Sequence, residues 1–288
     1  MGGSKKIREM KKVIIVQGGG FMTSFTTGVL DAFQMTAYKP FDSHVGISGG
    51  SIALSYFLSD QYGACYQTMH KLIKERRFMR YSKVLTDGLL NLDYFNDIAY
   101  KEMPFDFETA TKNTKERPFY VVLTRSDDGI PIYFQPQEKN WVDSIIASST
   151  IPFLTKGKHE IDEVGYSDGA LGDPIPVKWV VENGAQEVLV VRTTPLDEKA
   201  GKKISEVFAS KITNASQKLK TQIENHSINV HKAIAYIENP PKGVKIDQIA
   251  PEKVLKSGVF AISSNQLTED YRHGLQCGLD YVFKTKKS

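Results

Sequence analysis

Three short stretches carry groups suited to acyl transfer. Gly46-Ile47-Ser48-Gly49-Gly50 follows a strand-like run ending at Val45 and precedes the helix-like Ile52-Ala53-Leu54-Ser55-Tyr56-Phe57-Leu58. A serine between small residues at a strand-to-helix turn presents its hydroxyl at a helix N-terminus, where backbone N–H groups favour developing negative charge. Gly46 and Gly50 let such an elbow pack tightly. A serine nucleophile also needs a base for its proton and donors for the oxyanion. Asp168, in the turn-rich Tyr166-Ser167-Asp168-Gly169-Ala170-Leu171-Gly172-Asp173-Pro174, is the candidate base, although Asp168-Gly169 alone also reads as a turn. Gly18-Gly19-Gly20 can aim several backbone N–H groups at one point, and read alone is equally a phosphate-binding turn or a tight connection.

Two other chemistries compete. His226, His231 and His273 follow Asp168 in the chain order of a Ser…Asp…His triad. His226 and His231 fall in a long helix-like stretch and His273 in the charged, helix-like Tyr271-Arg272-His273-Gly274, so surface or helix-packing positions account for them better. His44 is expected to pack within or beside its strand. Gly18 and Gly20 also begin a G-x-G-x-x-G dinucleotide fingerprint, but Thr23 stands at its last glycine.

The elements that must position these groups follow from hydrophobic periodicity. Val13-Ile14-Ile15-Val16 reads as a strand buried on both faces, followed by the glycines and a helix through Val29-Leu30-Asp31-Ala32-Phe33. Phe41 to Val45 supplies a second strand, and Pro118 to Leu123 a third. Asp128-Gly129 reads as a hairpin turn into Ile132-Tyr133-Phe134, and Glu187 to Val191 as a further buried strand. This alternation predicts an α/β fold, a mostly parallel central sheet with helices on both faces. Two stretches break the rhythm. Tyr62 to Arg117, charged and aromatic, is expected to cap the serine and shape a substrate trough. Ile204 to Glu238, free of Gly and Pro, predicts a long amphipathic helix or a helical pair closed by Pro240-Pro241.

The chain has 288 residues, 41% hydrophobic and 24% charged, the composition of an ordinary globular protein with a substantial core. Its formal charge of +4 is concentrated at the ends, in Lys5, Lys6, Arg8, Lys11 and Lys12 and in Lys284, Lys286 and Lys287. These read as solvated tails, or as a weak attraction to anionic membrane surfaces. Two cysteines, Cys65 and Cys277, suggest neither a disulfide framework nor a metal site. No cofactor and no nucleic-acid partner is expected. Met1-Gly2-Gly3-Ser4 opens like a myristoylation site, but Lys6 stands where Ser or Thr is wanted. With no secretory leader pattern and no apolar run of membrane-spanning length, a cytoplasmic location is expected.

Taken together and in order, the glycine loop Gly18-Gly19-Gly20, the elbow Gly46 to Gly50 and Asp168-Gly169-Ala170 resemble the patatin-like phospholipase family. Gly28-Val29-Leu30, Ala147-Ser148-Ser149-Thr150-Ile151-Pro152 and Asp173-Pro174-Ile175-Pro176-Val177 extend the resemblance over roughly residues 12 to 195, with a looser match of the C-terminal third to the bacterial branch. The resemblance implies a three-layer sandwich in a single domain, 1–288. Its core spans about 12–195, with a cap insertion at about 62–117 and a helical C-terminal region at about 198–288. It implies a Ser–Asp dyad without histidine: Asp168 accepts the proton of Ser48, which attacks a lipid ester to give an acyl-enzyme that water then releases. It assigns the oxyanion to backbone donors of Gly18, Gly19 and Gly20 and the substrate to phospholipids or other acyl esters, with peripheral membrane contact. One departure stands out: Met22 and Thr23 replace the basic residue and glycine with which the family loop usually continues. The loss of that charge, and of a residue tolerant of positive φ, raises the alternative of a catalytically weak lipid-binding or regulatory protein on the same scaffold.

Overall fold

The computed structural model describes residues 10–80, 88–151, 154–156, 159–196, 217–259 and 263–287. At its centre lies β1 (Lys12–Val16), buried beyond Lys12. Its side chains alternate between two cores. Ile14 and Val16 join Phe25, Val29 and Leu54 on one face, while Val13 and Ile15 join Val177, Val180, Ala233 and Ile237 on the other. A strand covered on both faces has to be apolar throughout, which is why this run was readable.

Around β1 the chain lays down α1 (Thr23–Met35), β2 (Ser43–Ile47), α2 (Gly49–Leu58), α3 (Ala64–Leu72), α4 (Tyr94–Asp97), α5 (Phe107–Glu116), β3 (Phe119–Arg125), β4 (Pro131–Phe134) and α6 (Trp141–Ser148). Then come β5 (His159–Ile161), β6 (Val164–Asp168), α7 (Gly169–Gly172), α8 (Val177–Glu182), β7 (Glu187–Val191), α9 (Gln217–Glu238), β8 (Lys245–Ile249) and α10 (Ser264–Thr285). The eight-stranded sheet runs β5-β6-β3-β2-β1-β7-β8, with β4 also on β3. From β3 to β8 neighbouring strands are parallel, and β4, β5 and β6 are antiparallel to their partners. This is the mostly parallel sheet with helices on both faces that the sequence predicts.

One detail of register positions the site. β2 pairs with β3 only as far as Ile47 opposite Val122, and β6 pairs with β3 from Leu123, opposite Asp168, to Arg125. Because β4 holds the other edge of β3 from Val121 to Thr124, β6 takes up the edge that β2 vacates. The two strands meet end to end there. Ser48 leaves the sheet where Asp168 reaches it.

The C-terminal third departs from the helical region expected there. β8 adds a parallel strand beside β7 and carries the sheet past residue 195. Its run Lys245-Ile246-Asp247-Gln248-Ile249 is half-exposed at a sheet edge, so it lacks the apolar stretch that marks the central strands. Only Gln217–Glu238 of the long stretch expected to be helical is described, and it is helix; 204–216 lie outside the described residues. Pro152 and the basic Lys5, Lys6 and Arg8 also lie outside them. β2 runs two residues beyond Val45, so the turn begins at Ser48 itself.

Helix α10 starts at a capping box in which Ser263 accepts from the Gln266 N–H and the Gln266 side chain accepts from the Ser263 N–H. It packs along α1 at very close range. A Cβ built on Gly274 would lie 1.9 Å from the Phe25 carbonyl oxygen, and one on Gly28 2.1 Å from that of Tyr271. Side chains at these positions would force the two backbones apart.

Candidate active site

Ser48 follows β2 without a spacer and holds φ 52° and ψ −129°, outside the regions L-residues favour. Such a backbone costs on the order of 1–3 kcal/mol and persists only where its surroundings fix it. Several contacts do so here. Ser51 donates to the Ser48 carbonyl from its N–H at 2.9 Å and its hydroxyl at 2.6 Å. The Ser48 N–H donates to Ser148 Oγ at 2.9 Å, and that hydroxyl donates to the Val122 carbonyl at 2.7 Å. Gly50 passes so near β1 that a Cβ there would lie 2.2 Å from the Val16 carbonyl oxygen, and one on Gly46 would lie 2.5 Å from Ser51 Cα. Both elbow glycines are therefore set by close approach.

Asp168 ends β6 and caps α7, its Oδ1 accepting from the Ala170 N–H at 2.9 Å. Its N–H donates to the Thr150 carbonyl at 2.7 Å, and its own carbonyl accepts from Thr124 Oγ1 at 2.8 Å. The side chain is buried, and that burial pushes its carboxyl up to about 6, while hydrogen bonds from the Ala170 N–H and the Ser48 hydroxyl pull the other way. The register of β2 and β6 on β3 thus brings Ser48 and Asp168 to the same point of the sheet edge.

The glycine loop abuts the same point. A Cβ on Gly18 would lie 2.7 Å from Ser48 Cβ, and the Gly18 carbonyl accepts from Thr193 Oγ1 at 2.8 Å. Gly19 and Gly20 hold φ 146° and 58°, a left-handed path that glycine follows without strain. Among the described residues no acceptor is recorded for the N–H groups of Gly18, Gly19 and Gly20. The loop shape feared from Thr23 does not arise. Thr23 sits at φ −65°, opens α1, and donates its hydroxyl to the Gly20 carbonyl at 2.5 Å. Positive φ ends at Gly20, before Met22 and Thr23 are reached.

A narrow apolar slot opens beside Ser48, with about 70 Å³ available to the centre of a water-sized sphere. Gly20, Phe21, Thr23, Gly49 and Ile52 form the near wall; Cys65, Thr68, Met69 and Leu72 of α3 with Phe78, Leu90, Leu92 and Phe95 form the far one. Ser149, Ile151 and Val259 complete it. Residues from the 62–117 stretch therefore supply much of the lining. None of the six histidines of the chain does. His44 is buried within β2 and His226 on α9, each pushed down to about 4 by burial; His273 packs edge-on to Phe25, and His231 is exposed.

Ser148, Thr124 and Thr193, which brace the elbow, the aspartate and the glycine loop, were not singled out from the sequence. Their signal is weak: each is one small hydroxyl among many, and only Ser148 falls in a family-like run, Ala147-Ser148-Ser149-Thr150.

The molecule is thus an α/β protein in which a buried serine on a strained strand-to-helix elbow stands beside a buried carboxylate, a glycine loop and an apolar slot. A family model for patatin-like phospholipases matches residues 14–180, and one for a domain of unknown function (DUF6363) matches residues 216–287. The uncharacterized protein YjjU of Escherichia coli (strain K12) is 31% identical over 268 residues, covering 92% of this chain and 75% of that protein. The crystal structure of VipD from Legionella pneumophila aligns with a TM-score of 0.43 at 12% identity; the alignment covers 94% of this chain and 66% of that one, just under two thirds of its length. The chain belongs to the patatin-like phospholipase family, a family of lipid acyl hydrolases.

Proposed function

We propose that the protein is a serine acyl hydrolase that cleaves lipid carboxylic esters, in the manner of a phospholipase A or lysophospholipase, through a Ser48–Asp168 dyad. The observation that supports this reading is the meeting of Ser48 and the buried Asp168 at the shared edge of β3, where burial raises the carboxyl to about 6. At pH 7 such a group is about nine-tenths ionised, yet it is a stronger base than an ordinary aspartate. Asp168 takes the proton as Ser48 Oγ bonds to the ester carbonyl carbon, and the carbonyl π electrons move to the oxygen. The oxyanion is held by N–H groups of Gly18, Gly19 and Gly20, and its collapse expels the alcohol, which takes the proton from Asp168. Water then repeats the sequence on the acyl-enzyme, releasing the fatty acid and restoring Ser48. The apolar slot, lined by Phe21, Leu72 and Leu90 among others, suits an acyl chain.

Turnover of p-nitrophenyl esters and of phospholipid vesicles tests the reading. Ser48→Ala and Asp168→Asn are each expected to lower kcat by about 10³-fold or more. Esterase activity that survives Ser48→Ala overturns the mechanism.

Met22 favours a second reading, a lipid-binding protein of weak activity, because the loop lacks the cation that would assist an oxyanion or a headgroup phosphate. It predicts acyl-chain binding without fluorophosphonate labelling of Ser48. Clean labelling there rules it out.

A further inference from the structure

Among the described residues, the segment matched by the domain of unknown function places Val259 in the lining of the slot beside Ser48. Its carbonyl presses on the glycine loop, where a Cβ on Gly20 would lie 2.4 Å from the Val259 oxygen and 3.0 Å from its Cγ1. The chain just before it is tied to α10 by a buried carboxylate. Asp270 accepts from the Lys256 N–H at 3.1 Å, the Ser257 N–H at 2.7 Å and the Ser257 hydroxyl at 2.5 Å. Asp270 is 4% exposed and Ser257 3%, so this second serine–aspartate pair is sealed from substrate and serves as a clamp.

Helix α10 grips the same loop from its other end. Its Leu267 carbonyl accepts from the Ser24 hydroxyl at 2.7 Å, and its Gly274 backbone lies against Phe25. Both contacts fall in the first turn of α1, which opens on the Thr23 that holds the Gly20 carbonyl. Gly20 is therefore fixed from two directions by one helix outside the matched phospholipase region.

We propose that the C-terminal segment sets the acyl-chain preference of the Ser48 slot, with Val259 its specificity-determining wall residue and Asp270 the positioning residue that holds Val259 against Gly20. This rests on the acyl-hydrolase reading only in taking the slot as an acyl site. Val259 lines the slot against Gly20, so its size bears on the room left for a chain that starts at Ser48. Loss of the Asp270 carboxylate leaves two backbone N–H groups and a hydroxyl without their acceptor, and the wall moves.

Calorimetric binding of dodecanoate and hexanoate to the full chain tests this independently of turnover, with p-nitrophenyl butyrate and laurate hydrolysis measured in parallel. Val259→Phe is expected to weaken dodecanoate binding about tenfold and hexanoate binding about threefold or less, the scale on which apolar pockets sense added bulk. Val259→Ala is expected to shift the laurate-to-butyrate ratio of kcat/KM upward several-fold. Asp270→Asn should change the dodecanoate-to-hexanoate ratio, whereas Ser257→Ala, which keeps both backbone donors on the carboxylate, should preserve most of it. A folded Val259→Phe protein that binds dodecanoate as the wild type does overturns the proposal, as does a wild type that binds neither acid. If Asp270→Asn does not fold, a folded Val259→Ala protein with an unchanged laurate-to-butyrate ratio also overturns it. Ester turnover that survives Ser48→Ala, with the Val259 binding shifts intact, overturns the hydrolase mechanism alone and supports the wall assignment.

Discussion

Burial lifts the Asp168 carboxyl to about 6 from an ordinary value of 3.8. The folded protein therefore binds this proton more tightly than the unfolded chain does, and the contribution to stability falls as pH rises from about 4 to 6. Asp168→Asn, which removes the buried charge, is expected to raise the melting temperature at pH 7 while abolishing turnover. The stability gain is on the order of 1–3 kcal/mol, read from thermal scans at pH 7 and pH 4, where the difference should shrink. The same carboxyl predicts that kcat/KM climbs through an apparent pKa near 6 and is level above pH 7; a profile flat from pH 5 to 8 excludes Asp168 as the base. Asp173, half-buried and raised by desolvation to about 6, accepts from the Tyr133 hydroxyl at 2.6 Å. Ser148 carries a different prediction. Its hydroxyl bridges the Ser48 N–H and the Val122 carbonyl, so Ser148→Ala orphans a buried donor at a cost of about 1–3 kcal/mol. Because the loss falls on the strained elbow, kcat should drop more than KM changes, as steady-state kinetics on a short ester would show.

At the scale of elements, the crossing of α1 and α10 is set by backbone contact at Gly28 and Gly274. Gly274→Ala places a methyl 1.9 Å from the Phe25 carbonyl oxygen and is expected to destabilise the fold by about 2 kcal/mol or more, measured from the urea midpoint. The first turn of α1 moves with it, so turnover should fall as well. The sequence disclosed β1, β3 and β7 because strands covered on both faces are largely apolar runs, whereas β2, Ser43-His44-Val45-Gly46-Ile47, was marked mainly by the serine elbow that follows it. It disclosed Ser48 and the glycines because their chemistry depends on residue type at fixed spacing. It hid β6 and β8. Val164-Gly165-Tyr166-Ser167-Asp168 carries few apolar residues and pairs over only three positions with β3, and β8 lies at an edge. Asp168 was thus visible as a turn residue and as part of a pattern, but its place at a strand end was not.

Across the whole molecule, the two family matches divide the chain where the packing does not. The larger core joins Phe25, Val29 and Leu54 to Leu267 and Val282, and the smaller joins Val177 and Val180 to Ala233 and Ile237. We propose one cooperative domain, and predict coincident urea transitions by far-ultraviolet circular dichroism and by the fluorescence of buried Trp141. Two separated transitions would instead make the C-terminal part an independent unit. Among the described residues no helix is long and apolar enough to cross a membrane. On the proposed reading a lipid substrate meets Ser48 through the slot, much of whose lining comes from the 62–117 stretch.

The shared edge of β3 has a consequence for how the chain tolerates change. Ser48 and Asp168 are brought together by counting rungs, since β2 stops at Val122 and β6 at Leu123. The length of chain between them plays no part in that count. Insertions in the Asp127–Gly129 turn or at the exposed Asp162–Glu163 bend should therefore leave the catalytic spacing untouched, whereas a one-residue slip of β6 along β3 would turn the carboxylate to the opposite face of the sheet.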